Sequence, residues 1–390
     1  MSDRLKIING KIITPAGITE GSLNIENGKI VGINTRFDSD AVIDAQGKYI
    51  SPGFVDIHTH GGGGCDFMDG TVKAFLTAGE VHAKHGTTTL LPTLLSAGFD
   101  ETVDAIKTFE KARKTVYDGA NLIGLHIEGP YFAVEQCGAQ DTRFTKSPDK
   151  NEYKKLLSLS KNIHRWSAAP ELDGALEFGK TLDSKGVLPS IGHSNATYEQ
   201  VLEAFDCGYT HITHLYSAMS TVHRIKAMRF AGIVESAYLI DDMSVEIIAD
   251  GVHLPQSLLQ FVTKFKKPEK VALVTDSMRA AGMGEGESTL GSLENGQRVI
   301  VEDGVAKLLD RSAFAGSVAT MDRLVRNIVT LTDTSICDAV RMASTTPAEI
   351  MGYNSKGKIE CGADADILIF DDNINIKCTI IDGRLIYKGE

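Results

Sequence analysis

Five short segments of this 390-residue chain each end an apolar run on a side chain able to bind a divalent metal. The runs close on His58-Thr59-His60, Glu128, His193, His214 and Asp276. Such runs, bounded by glycine, proline or polar loops, read as buried strands, and the carboxyl ends of parallel strands converge on one mouth. The pattern therefore gathers four histidines and two carboxylates around one or two metal ions.

Three further runs, Thr87–Leu91, Arg165–Ala169 and Val245–Asp250, bring the strands to eight. Helical patterns lie between them, among them Val72 to His85, Asp100 to Val116 and Tyr198 to Phe205, with Gly86 and Gly208 as left-handed caps. Eight strand–helix repeats predict an α/β fold, a TIM-like (β/α)8 barrel, although counting alone leaves an open sheet as the alternative. The first fifty residues alternate in the β manner around the turn Asn27-Gly28, and the last thirty do so around Asp382-Gly383. Neither end can bury a core alone, so both are expected to pair into one small β-sandwich domain. The expected division is 1–52 with 355–390 for that domain and 53–354 for the barrel. Gly282 to Asp310 reads as a β-hairpin excursion after the eighth strand.

A net charge of −11 argues against nucleic acid or an anionic membrane as partner, because both reward clustered lysine and arginine. No apolar stretch approaches the roughly 20 residues of a membrane span, and Met1 to Lys6 lacks the apolar core of a secretory signal. A cytoplasmic protein is expected. The six cysteines, Cys65 and Cys137 near the mouth among them, form no Cys-x-x-Cys pair, so neither a disulfide framework nor a zinc knuckle is indicated.

In an extended chain, residues i and i+2 point the same way, so His58 and His60 can face one ion. Glu128 can hold one ion or bridge two, and His193, His214 and Asp276 complete the set. Four imidazoles favour Zn, Fe, Mn or Co over Ca or Mg. Ligands spread over five strands do not suit a structural zinc site, which uses paired local ligands. The catalytic reading has the metal activating water and polarising a carbonyl, with Asp276 relaying the proton to the leaving group. His82 and His85 sit just before a capping glycine and read as structural. His126 and His211 read as supports to the ligands or as reserve ligands. Gly61 to Gly64 lacks the Lys-Ser/Thr of a phosphate-binding loop and reads as a flexible turn.

The segment from Pro52 to Gly61 resembles the amidohydrolase superfamily signature. Glu128-Gly129-Pro130-Tyr131, Gly192 to Thr197, Thr213 to Met219, Ala249 to His253 and Leu273 to Asp276 together resemble the N-acetylglucosamine-6-phosphate deacetylase family, in order through the whole chain. The resemblance implies Glu128, His193 and His214 as metal ligands, Asp276 as general acid/base, and His58 and His60 as the means of holding a second ion. Gln140, beside Ala139, falls where the family sets His or Gln against the acetyl carbonyl. Ser217 and Ala218 match the segment that meets the sugar phosphate, His253 matches a substrate-contacting histidine, and Phe314-Ala315-Gly316 resembles the late loop covering the substrate.

Two departures stand out. Ser217 replaces the family's usual Asn, and His223 to Arg229 replaces an Arg-Glu-Pro-Gly segment. In the family that arginine reaches the phosphate in the neighbouring subunit, so Arg224 is the first choice, with Lys226, Arg229 or a merely solvated basic face as alternatives. The implied reaction is hydrolysis of the N-acetyl group of a phosphorylated amino sugar to acetate and glucosamine 6-phosphate, in a homodimer with an arginine shared across its interface. The rivals are another cyclic amidase or deaminase on the same barrel and a scaffold that has lost its chemistry. Glu128, where many dinuclear relatives carry a modified lysine, weighs against the first; the intact ligand set weighs against the second.

Overall fold

In a computed structural model, which describes residues 4–389, eight parallel strands follow one another around a nearly closed barrel. They are Phe54–Thr59, Thr87–Leu94, Leu125–Glu128, Ile163–Ala168, Leu188–Ile191, His211–Ile212, Ser244–Ile247 and Val271–Leu273. Each pairs with the next in chain order. The ring is drawn together just beyond the last strand, where Asp276 N–H donates to the His58 carbonyl at 2.8 Å and His60 N–H to that of Ser277 at 2.8 Å. These bonds set the end of the eighth strand against the end of the first.

Parity within the strands decides what faces the barrel axis. Val55, Ile57, Leu91, Ile248, Ala272 and Val274 pack into one apolar cluster with Ala348 of the helix Thr345–Ile350. In the first strand the alternate residues Asp56 and His58 are buried on the other face; Arg165, Ser190 and Glu246 are buried as well, and hydrogen bonds join Arg165 to Ser190 and Glu246 and Asp56 to Thr275. The surrounding helices start where the sequence offers caps: Thr71 accepts from Ala74 N–H, and Thr197 and Gln200 form a reciprocal box before Tyr198–Phe205.

Both ends of the chain meet in a second sheet. Tyr49–Pro52 pairs antiparallel with Ile367–Phe370, which continues through Ile376–Ile381 to Arg384–Lys388. Its own core takes Leu5, Ile7, Leu23 and Ile25 from the front and Ile367, Ile369 and Ile380 from the back. Asn27 and Gly28 have φ of 50° and 72°, the left-handed pair that a two-residue hairpin between twisted strands requires. The excursion after the eighth strand is a three-stranded meander, Gly286–Leu290, Gln297–Glu302 and Val305–Leu308, not a single hairpin, because Asp303-Gly304 makes a second left-handed turn.

Lys356 ties together the C-terminal part of the sheet domain, with its ammonium 2.7 Å from Asp366, 3.2 Å from Asp364 and 3.4 Å from Asp382. Burial disfavours its charge, but the three carboxylates outweigh that and raise its pKa. Lys356→Ala leaves Asp366 buried without its cation and is expected to cost about 3 kcal/mol, read as a lower denaturation midpoint.

Candidate active site

The ends of the first, third, fifth and sixth barrel strands, with the loop after the eighth, bring the five sequence-marked segments to one place. Glu128 Oε1 lies 3.3 Å from His193 Nε2 and 3.1 Å from His214 Nε2. On its other side, Oε2 is 3.3 Å from His60 Nε2, and Oε1 is 3.5 Å from His58 Nε2. Asp276 Oδ1 lies 3.1 Å from His60 Nε2 and 3.5 Å from His58 Nε2. All six side chains are buried.

The donor set fits a metal. His60 Nδ1 faces the Thr93 carbonyl at 3.2 Å and His193 Nδ1 the Gln136 carbonyl at 2.8 Å. A carbonyl only accepts, so each Nδ1 carries a proton and Nε2 is the atom turned inward, where it can offer a lone pair to a cation. His58 Nε2 and His60 Nε2 are 3.3 Å apart, and His193 Nε2 and His214 Nε2 3.1 Å apart. Lone pairs so close to one another and to two carboxylates are satisfied by a cation among them. Two groups have the reach to hold one, His58/His60/Glu128 and Glu128/His193/His214, sharing Glu128. Asp276 Oδ1 is buried without a hydrogen-bond partner.

Backbone strain marks the same residues. His193, His214 and Asp276 have φ of 50°, 30° and 45°, in a region that costs a non-glycine residue roughly 1–3 kcal/mol. Each is the last residue of its marked run, turned so that its side chain points across the mouth.

A cavity of about 250 Å³ opens above the cluster. Ala139, Gln140, Ser217, Ala218, His253, Phe314 and Gly316 line it. Gln140 is oriented: Ser96 N–H donates to Oε1 at 3.0 Å, so Nε2 faces inward and donates to Glu128 at 2.6 Å. His253 is held through Nδ1 by Asp250 at 2.7 Å and packs on the Phe314 ring at 4.6 Å. Ala315 lies outside this lining; it packs with Met278 and Leu290 beneath the meander. Arg224, Lys226 and Arg229 are exposed on a separate hairpin, His223–Ile225 with Met228–Phe230, and do not line the cavity.

The other histidines sort by their partners. His126 is held between the hydroxyls of Thr93 and Ser167, and His211 lies against Ser244 and Glu246, below the cluster rather than in it. Burial, reinforced by Arg165, pushes His126 well down and His211 to about 4, so both stay neutral. His82 lies 2.9 Å from the Gly61 carbonyl and His85 3.2 Å from Asp322. Sequence reasoning missed Glu246, Arg165, Asp250 and the cavity residues Leu95, Tyr216 and Leu290. A charge inside a fully buried run was the available signal for Glu246 and Arg165.

Residues 49–386 match the model of the amidohydrolase family. The chain is 34% identical to an N-acetylglucosamine-6-phosphate deacetylase of Lysinibacillus sphaericus, over 93% of this chain and 92% of the relative. It is 30% identical to an N-acetylgalactosamine-6-phosphate deacetylase of Escherichia coli O157:H7, over 96% and 97%. Among solved structures, a mutant N-acetyl-D-glucosamine-6-phosphate deacetylase from Mycobacterium smegmatis, in complex with N-acetyl-D-glucosamine-6-phosphate, superposes with a TM-score of 0.89 at 29% identity, over 99% of this chain and all of the other.

Because Glu128 belongs to both ligand groups, Glu128→Ala is expected to strip divalent metal from the protein altogether. His60→Asn should spare the ion at Glu128, His193 and His214, so metal content per chain separates the two variants.

Proposed function

The chain belongs to the amidohydrolase family, and we propose that it hydrolyses the N-acetyl group of N-acetyl-D-glucosamine 6-phosphate, giving D-glucosamine 6-phosphate and acetate in amino-sugar catabolism. The observation that carries this reading is Glu128 meeting imidazoles from two sides at the floor of a cavity. Glu128, His193 and His214 would hold one divalent ion, and His58 and His60 with Glu128 a second, with Asp276 beside them. Such an ion, of the Zn, Fe, Mn or Co class, polarises the amide carbonyl and acidifies the attacking water when bound.

The remaining work falls to the chain. Asp276 takes the proton that water gives up as its oxygen adds to the carbonyl carbon. It then passes that proton to the amide nitrogen, so the C–N bond breaks with a neutral amine as leaving group. Gln140 donates from Nε2 to the developing oxyanion, its orientation fixed by Ser96. His253, held by Asp250 and Phe314, turns its free Nε2 to the sugar.

The phosphate needs a cation, and the residues lining the cavity include neither lysine nor arginine. The hairpin of residues 223–230 sets Arg224 directly opposite Arg229, a like-charge pair that repels unless an anion or a partner accepts it. We therefore read the working form as a homodimer in which Arg224 of one copy meets the phosphate bound in the other. A charged sugar phosphate cannot leave across a bilayer, which suits a cytoplasmic setting. No helix among the described residues is long and apolar enough to cross a membrane.

Acetate release from N-acetylglucosamine 6-phosphate should stop on chelation and return on readdition of metal. Asp276→Asn is expected to lower kcat by roughly 10⁴-fold while substrate still binds; near-normal turnover would refute the proton relay. Arg224→Ala should raise KM roughly 10- to 100-fold for the phosphorylated substrate and leave an unphosphorylated analogue unaffected. Sedimentation should give a dimer.

A further inference from the structure

One buried carboxylate that the reaction does not use stands directly behind the metal-ligand cluster. Glu246, on the seventh strand, is fully buried. Its Oε1 lies 2.5 Å from His58 Nδ1 and accepts the backbone N–H of His214 at 3.0 Å. Its Oε2 accepts from Arg165 Nη1 at 2.5 Å and lies 3.5 Å from His211 Nε2. Arg165 is itself fixed, donating to Ser190 Oγ at 2.9 Å, Thr213 Oγ1 at 2.9 Å and the Ile57 carbonyl at 3.3 Å. One rigid ionic pair thus touches a ring from one ligand group and the backbone of a ligand from the other.

We propose that Glu246, braced by Arg165, is the positioning residue that makes His58 a metal ligand and so sets two-ion rather than one-ion occupancy. The inference rests on the reading of the mouth as a metal centre. An imidazole offers a lone pair through Nε2 only when Nδ1 keeps the proton, and Glu246 is the acceptor that keeps it there for His58. Without Glu246 the ring can turn or carry its proton on Nε2, where an N–H would point at the ion. His60 and His193 depend on the carbonyls of Thr93 and Gln136 instead, so their inward lone pairs survive. The loss therefore falls on the group of His58, His60 and Glu128, while Glu128, His193 and His214 keep their ion. Arg165 holds the carboxylate in register, because its Nη1 takes Oε2 while its other bonds to Ser190, Thr213 and the Ile57 carbonyl fix the guanidinium.

The test is metal binding, read apart from activity. Full-length protein loaded with Mn(II) is compared with Glu246→Ala, Glu246→Gln and the double variant Glu246→Met with Arg165→Met. The double variant removes both buried charges at similar volume, so that the site can be read if the single change does not fold. The expected result is two ions per chain and a spin-coupled pair in the parent. In Glu246→Ala and the double variant, one uncoupled ion remains, with affinity for the second weakened roughly 10- to 100-fold. Glu246→Gln, which keeps an acceptor for His58 Nδ1, should recover part of that affinity. Two coupled ions at parental affinity in either Glu246→Ala or the double variant would overturn the role assigned to Glu246. A parent that binds no ion would instead overturn the metal-centre reading itself, and a parent holding a single ion would remove the second group that Glu246 is said to serve.

Discussion

The inward nitrogens of four imidazoles face two carboxylates across gaps of 3.1 to 3.5 Å, among side chains that are all buried. In that arrangement every inward group is an acceptor unless a ring is protonated or a cation enters. The nearly closed ring of strands brings these groups together, and the left-handed turns at His193, His214 and Asp276 aim three of them. Strain of this kind persists only where the surroundings over-determine it. Here the hydrogen bonds that draw the eighth strand to the first supply part of that constraint, since Asp276 N–H is itself one of the donors.

Below the mouth the barrel axis is polar, where such barrels are commonly filled by branched apolar side chains. Asp56, His126, Arg165, His211 and Glu246 lie there, each with named hydrogen-bond partners. Arg165 offsets the Glu246 charge and, with burial, keeps His126 and His211 neutral. Burial pushes Asp56 to about 7 even though Thr275 bonds it. A buried polar layer costs folding energy that an apolar one would not, so its presence is best understood through what it does for the groups above it. It fixes ring orientation and charge one level beneath the reacting atoms.

Much of this was legible in the chain itself. The eight strands could be read because each is a buried apolar run with a polar or glycine boundary, and the ligands because each stands at such a boundary. The joining of the two ends was legible from their matching turn signals and from the want of a core in either. Glu246 and Arg165 were hidden because they sit inside runs that otherwise read as plain strand, and only parity separates an inward Glu246 from its outward neighbours. Asp250 closes its own run and still escaped notice, since its role is to hold His253 three residues on. Ala315 and Arg224 belong to segments whose likeness was clear, but motif position alone does not decide which residue of a loop faces a cavity or which face of a hairpin looks outward.

The separation of cations from the cavity bears on what a single copy can recognise. The cavity wall offers imidazole, amide, hydroxyl and backbone groups, all suited to a sugar and its acyl chain. A phosphate dianion brought near Glu128 and Asp276, on a chain of net charge −11, meets repulsion that no lysine or arginine of the cavity lining offsets. Two arginines held side by side on an exposed hairpin are a poor arrangement for an isolated chain and a good one for a surface that meets an anion. If the hairpin of one copy closes the cavity of another, both difficulties end together, and the remote phosphate supplies binding energy that positions the amide over the cluster. Chemistry then resides within one barrel, while selectivity for the phosphorylated sugar resides between two.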